Sequence, residues 1–137
     1  MIELFTAMKM KYPIFFLIAF AIHTVSFAQS DITAQISDAL KRGDGSAIAS
    51  LMTSPVDMTI EDTDMSVPQS DAKATLIKWF ASHSPKSFKI LHQGTSKLDD
   101  QYRIGELETS AGIFRITFFT RKYGNQILIK QLKIEAQ

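Results

Sequence analysis

YRIGELETSAGIFRITFFTRKYGNQILIKQLKIE, residues 102–135, decides the fold class. Apolar β-branched and aromatic residues recur with polar ones between them in three segments, 101–110, 113–122 and 126–135. That period of two belongs to strands. Ala111-Gly112 and Gly124-Asn125 separate the segments with residues suited to tight turns. A fourth segment of the same character, 87–96, precedes them across Asp99-Asp100. Together they predict an antiparallel sheet.

Simple turn registers sort these side chains onto two faces, because neighbouring residues of a strand point in opposite directions. One face collects Phe88, Ile90, His92, Leu107, Phe114, Ile116, Phe118, Ile127 and Ile129, with Arg103, Thr120, Gln131 and Lys133 toward one end. The other holds Tyr102, Ile104, Phe119, Leu128, Leu132 and Ile134 among Glu106, Glu108, Arg115, Arg121 and Lys130, with Glu108 expected across from Arg115. The first face calls for a cover of helices. The second is too apolar to be plain solvent surface.

The cover comes from the preceding sequence. Ile32, Ile36, Ala39 and Leu40 fall at i, i+4, i+7 and i+8, and Gly43 stands where a left-handed helix end belongs. Ser46 is placed to cap a short second helix carrying Ile48, Leu51 and Met52, which Ser54-Pro55 stops. Val56-Asp57-Met58-Thr59-Ile60 alternates as a strand, and Met65-Ser66-Val67 returns as its hairpin partner. From Ser70 a third helix puts Ala72, Leu76, Trp79, Phe80 and His83 on one stripe, until Pro85 ends it. Helices first and long strands last predict an α+β fold: helices packed on one face of a curved four-stranded antiparallel sheet, plus a small hairpin.

The first 28 residues read differently. Lys9 and Lys11 are followed by nine unbroken apolar residues, 14–22, and Ser26-Phe27-Ala28 offers small residues at the two positions a signal peptidase reads. A membrane span needs about 20 apolar residues, and His23, Thr24 and Ser26 interrupt this run too early. Residues 1–28 are therefore expected to be a cleaved signal peptide, with export to the periplasm or beyond and no membrane attachment afterwards. Met10-Lys11 resembles a natural start, which makes residues 1–9 an over-extension. Removing 28 of the 137 residues leaves 109, enough for one domain, residues 29–137. Without Lys9, Lys11 and Glu3 the chain carries 13 basic and 13 acidic residues, a neutral balance that points away from nucleic acid. Cysteine is absent, which removes disulfides, thiolate chemistry and lipobox anchoring.

The segments 31–44 (DITAQISDALKRGD), 56–60 (VDMTI), 84–96 (SPKSFKILHQGTS), 102–119 (YRIGELETSAGIFRITFF) and 127–135 (ILIKQLKIE) together resemble the family catalogued as domain of unknown function 4783 (DUF4783), small exported proteins typical of Bacteroidota. The resemblance spans almost the whole chain after the signal. It implies the NTF2-like superfamily, whose cone wraps three helices against a bent sheet, often around a pocket. Its relatives include isomerases, dehydratases and pure binding domains, some pairing back to back through the sheet. Fold alone does not choose among these.

Chemistry-bearing residues are few. Asp57, Glu61, Asp62 and Asp64 lack the glycine and terminal glutamate of a calcium loop and read as a solvated hairpin tip. No nucleophile elbow, glycine-rich phosphate loop or paired-histidine metal motif occurs, so neither cofactor nor metal is expected. Trp79, Phe80, His92, Phe118 and Gln131 are the candidate pocket; Tyr102, Ile104, Phe119, Leu128 and Leu132 are the candidate dimer face. The expectation is a non-enzymatic domain that binds a small apolar ligand or a protein partner, a second copy among them. The rival is an NTF2-like isomerase or dehydratase using His92 with Asp57, and it requires those two side chains to meet.

Overall fold

A computed structural model describes residues 32–137. The expected signal peptide, the over-extended start and the new terminus at Gln29 all lie outside the described residues. In chain order the elements are α1 (Ile32–Arg42), α2 (Gly45–Ser50), β1 (Met52–Ile60), β2 (Thr63–Val67), α3 (Gln69–Ser82), β3 (Pro85–Thr95), β4 (Gln101–Thr109), β5 (Gly112–Tyr123) and β6 (Gln126–Ala136).

Local chemistry accounts for the helix ends. Gly43 takes a φ of 64° after α1, and the next amide, Asp44, donates back to the Ala39 carbonyl at 2.9 Å. Asp44, rather than the expected Ser46, caps α2: its Oδ1 accepts from the Ala47 amide at 2.9 Å. α3 starts after Pro68, whose carbonyl accepts from the Asp71 and Ala72 amides, both at 3.0 Å.

All six strands join one sheet in the order β2-β1-β6-β5-β4-β3. The expected separate hairpin is thus the continuation of the four-stranded sheet. Every pairing is antiparallel except β1 with β6, which is parallel and sets Asp57 beside Gln131 and Met58 beside Leu132. A lone two-stranded hairpin is barely stable, and β6 offers it a free edge with an apolar face.

Three departures from the simple register bear on the two faces of the sheet. The β4–β5 turn is Ser110-Ala111, since Thr109 pairs with Gly112; Arg115 therefore opposes Glu106, and Glu108 opposes Ile113. In β6, Phe119 pairs with Gln131 and Thr120 with Ile129, so Lys130 is an extra residue. In β3, Ile90 pairs with Gly105 and His92 with Ile104, which makes Leu91 extra. A β-bulge of one residue exchanges the faces of everything beyond it.

The core follows from these bulges. Ile36 and Leu40 of α1, Ile48 of α2 and Leu76 of α3 are fully buried against Val56, Leu107, Ile116, Phe118, Ile129, Leu132 and Ile134 of the sheet. Leu132 and Ile134, expected on the outer face, lie in this core because Lys130 inverts their strand. Trp79 and Phe80 close the core beside Phe114, with ring centroids 5.1 Å apart for Trp79 and Phe80 and 5.0 Å for Trp79 and Phe114, both edge-on. Helices on one face of a curved sheet are thus the architecture, an α+β fold as expected.

Candidate functional site

The five candidate pocket residues do not form a pocket. Trp79, Phe80 and Phe118 are packed core, with Phe118 wholly inaccessible. The bulge at Leu91 turns His92 to the outer face, where it is exposed and pairs with Ile104. The bulge at Lys130 does the same to Gln131, which stands between Asp57 and Phe119. His83, at the end of α3, stacks on Trp79 with ring centroids 4.0 Å apart and 6° between planes, and its Nδ1 lies 2.7 Å from the Trp79 carbonyl. That contact gives His83 a packing role.

Asp57 and His92 do not meet either. Three strands, β6, β5 and β4, separate their own, so four strand spacings put them about 19 Å apart along the sheet. Asp57, Asp64 and Ser66 instead line an open recess of about 440 Å³ with Thr59, Gln131 and Lys133, where Thr59 Oγ1 donates to Asp64 Oδ1 at 2.7 Å. Among the described residues no group of three or more histidines and carboxylates is arranged to hold a metal ion. No described helix is long and apolar enough to cross a membrane.

What the structure does bring together is the outer sheet face. Tyr102 and Phe119 are cross-strand neighbours with ring centroids 6.1 Å apart, and Ile104 and Leu128 share their face. All four are half-buried, without any helix over them. Four of the expected apolar residues therefore remain on this face after Leu132 and Ile134 move to the core. Around them stand Arg115, Glu106, Glu135 and Lys133, and Arg121 with Lys130 at the far end.

A buried carboxylate organises that far end. Asp100 is 2% exposed and receives Arg121 Nε at 2.6 Å and Lys130 Nζ at 2.5 Å. Burial pushes its carboxyl up, but the hydrogen bonds and charges of Arg121 and Lys130 outweigh burial and hold it below the ordinary range. The same contact raises Arg121. The cover over Asp100 is shallow, since Arg121 and Lys130 themselves keep 38% and 25% of their side-chain surface exposed. Sequence reading assigned Asp100 to a turn. Its charge gave no signal of burial, because both partners arrive from strands more than twenty residues away.

The family model described as "Domain of unknown function (DUF4783)" matches residues 33–135. Among solved structures, a DUF4783 family protein from Bacteroides fragilis YCH46 is 31% identical with a TM-score of 0.72, over 78% of this chain and 100% of that one. Another from Bacteroides uniformis ATCC 8492 is 27% identical with a TM-score of 0.73, over 78% of this chain and 98% of that one. A chain named "Rd1NTF2_04 with long sheet" is 15% identical with a TM-score of 0.57, over 74% of this chain and 94% of that one, which shows the fold alone. No curated protein matches this sequence.

Proposed function

The chain belongs to the DUF4783 family, and we propose that it is an exported, non-enzymatic binding domain whose working surface is the outer sheet face and whose occupant is a protein. The observation that carries this is the half-buried Tyr102–Phe119 pair, flanked by Ile104 and Leu128, on the side of the sheet away from the helices. In an antiparallel sheet with one covered face, the other face ordinarily carries polar side chains. Apolar anchors within a charged surround are instead the anatomy of a protein interface.

Binding of a small apolar ligand inside the cone has less support, since Trp79, Phe80 and Phe118 fill the core that was to hold it. The enzyme reading loses its pair, because Asp57 and His92 stand on strands separated by three others. To test the proposal, the wild-type protein and Phe119→Glu are purified from their own cell envelope and compared by native mass spectrometry. A protein retained by wild type and lost from Phe119→Glu supports the reading. A small molecule retained equally by both would return the site to the helix-covered side and overturn it.

A further inference from the structure

We propose that the tips of the β3–β4 and β5–β6 connections dock the protein, reversibly and without crossing, on a bilayer that carries anionic phospholipid. The inference draws on a different part of the molecule from the outer sheet face and does not depend on that reading. It is carried by three exposed apolar side chains at one end of the sheet, each with a lysine beside it.

Both tips belong to the same end. β5 and β6 run on past β4: Gln101, where β4 begins, pairs with Thr120, and Arg121, Lys122 and Tyr123 continue opposite Leu128, Ile127 and Gln126. Segment 96–100 turns beside this extension and is closed on itself, the Ser96 amide donating to the Asp100 carbonyl at 2.8 Å. Ser96 Oγ in turn accepts from the Leu98 amide at 3.3 Å and the Asp100 amide at 3.2 Å, so Leu98 is presented on a held turn. The Asp100 carboxylate fastens the two connections together, because it takes both Arg121 of β5 and Lys130 of β6. Of the six large apolar residues exposed among the described residues, Leu98, Tyr123 and Ile127 are on these tips, and Leu98, at 72%, is the most exposed of all. Such side chains gain by leaving water.

Charge decides what takes them up. Residues 96–100 and 121–130 carry four cations, Lys97, Arg121, Lys122 and Lys130, against two acids, Asp99 and Asp100. Asp100 is buried, which leaves Asp99 as the exposed acid. Lys97 directly precedes Leu98, while Lys122 directly precedes Tyr123 and pairs across the hairpin with Ile127. Both lysines are exposed and neither takes part in an ion pair among the described residues. The neutral balance of the whole chain conceals this local excess, so the sequence reading expected no membrane attachment. A bilayer suits the arrangement better than other anionic partners do. Hydrocarbon beneath a layer of phosphates accepts protruding apolar side chains in any arrangement, whereas an acidic protein needs a matching cavity for each and nucleic acid offers little to Leu98 and Ile127. Tyrosine is at home at that boundary, and lysine stems reach along it while their amines stay with the phosphates.

The test is co-sedimentation of the exported protein with vesicles of phosphatidylcholine alone and with vesicles in which about a third of the lipid is phosphatidylglycerol. Wild type is expected to bind the anionic vesicles, more weakly as salt is added, and to leave the neutral ones in suspension. The double variant Lys97→Gln/Lys122→Gln is expected to bind at least about tenfold more weakly. Leu98→Ser/Ile127→Ser keeps every charge and is expected to lose at least about tenfold as well. Lys41→Gln/Lys86→Gln removes the same charge from the opposite end, where Pro85 pairs with Thr109 and a Cβ on Gly43 would stand 3.0 Å from the Pro85 ring, and is expected to bind as wild type does. All six substituted residues are exposed, and circular dichroism melting confirms that each variant is folded. A wild type that ignores anionic vesicles overturns the inference, as does an equal loss from Lys41→Gln/Lys86→Gln, which would make net charge the cause. Full binding by Leu98→Ser/Ile127→Ser overturns it too, by reducing the contact to adsorption of charge. If wild type ignores vesicles but retains an envelope protein that Lys97→Gln/Lys122→Gln loses, this end docks an acidic protein and the bilayer inference falls.

Discussion

Lys130 Nζ stands 2.5 Å from Asp100 Oδ2, a contact that joins the residue β6 carries in excess of β5 to the one charged side chain buried among the described residues. Arg121 holds the other carboxylate oxygen, so the end of β4 is tied to both β5 and β6. A carboxyl whose folded value is lowered stabilises the fold fully above its unfolded value, about 3.9, and that contribution fades as pH falls from there through the folded value. Asp100→Ala is expected to cost about 1 to 3 kcal/mol at neutral pH, by leaving two cations without their acceptor. Urea unfolding at pH 7 and at pH 3 checks it: the gap between variant and wild type should narrow at the lower pH. A gap of equal size at both would show that the charge of Asp100 is not what stabilises.

Deleting Lys130 should do little more damage than replacing it. Without the extra residue, Ile129 is followed directly by Gln131, so Thr120 still pairs with Ile129, Phe119 with Gln131 and Phe118 with Leu132, and Leu132 and Ile134 stay in the core. Both the deletion and Lys130→Met take the amine from Asp100, and each is expected to fold with a loss of about 1 to 3 kcal/mol. Amide NMR spectra of the two check it, and a collapsed, undispersed spectrum from the deletion variant alone would sink the argument.

Those two bulges also mark where the sequence stops being legible. Alternation along β4, β5 and β6 was enough to locate the strands and to place Phe114, Ile116, Phe118 and Leu107 in the core, because inside an unbroken ladder the pattern is local. Whether a strand carries an extra residue depends on its neighbour. Lys130 is extra only relative to β5, and its amine meets Asp100, thirty residues earlier, so nothing near Lys130 in the sequence records the bulge. Each face assignment beyond a bulge therefore inverted: His92 and Gln131 outward, Leu132 and Ile134 inward. The parallel pairing of β1 with β6 was hidden for the same reason, since no turn connects strands that far apart. Tyr102 and Phe119 stand on β4 and β5, which pair without any bulge between them, so their face was legible.

Phe118 and Glu108 calibrate the two faces. Phe118 is wholly buried between Arg103 and Leu132, so Phe118→Ala is expected to destabilise by about 3 to 5 kcal/mol through the cavity it leaves. Glu108 is exposed and accepts only a 3.4 Å hydrogen bond from Ser87 Oγ, so Glu108→Ala is expected to cost less than about 1 kcal/mol. Equal losses in urea unfolding would mean the faces are reversed.

Export is checked by mass. Cleavage after Ala28 predicts a chain beginning at Gln29, with that glutamine free or cyclised. Intact-mass measurement on protein recovered from the envelope should find it. A mass that still includes residues 14–22 would leave the apolar stretch as an anchor.

Gly105 and Phe88 test the packing at the β3–β4 end of the core. A Cβ on Gly105 would stand 2.5 Å from the Phe88 ring and 2.7 Å from the Lys89 carbonyl oxygen, both closer than real atoms approach. Phe88 is 6% exposed, so its ring has little room to retreat. Gly105→Ala is therefore expected to cost about 1 to 3 kcal/mol as overpacking. Phe88→Leu withdraws the ring edge, and is expected to lose stability by itself through the shortened side chain. Combined, the two should lose less than the sum of the separate losses, because the second removes most of the clash the first creates. A thermodynamic cycle by urea unfolding measures that coupling. Strict additivity would locate the cost of Gly105→Ala in the backbone contact with Lys89, and the ring would have no part in the requirement for glycine.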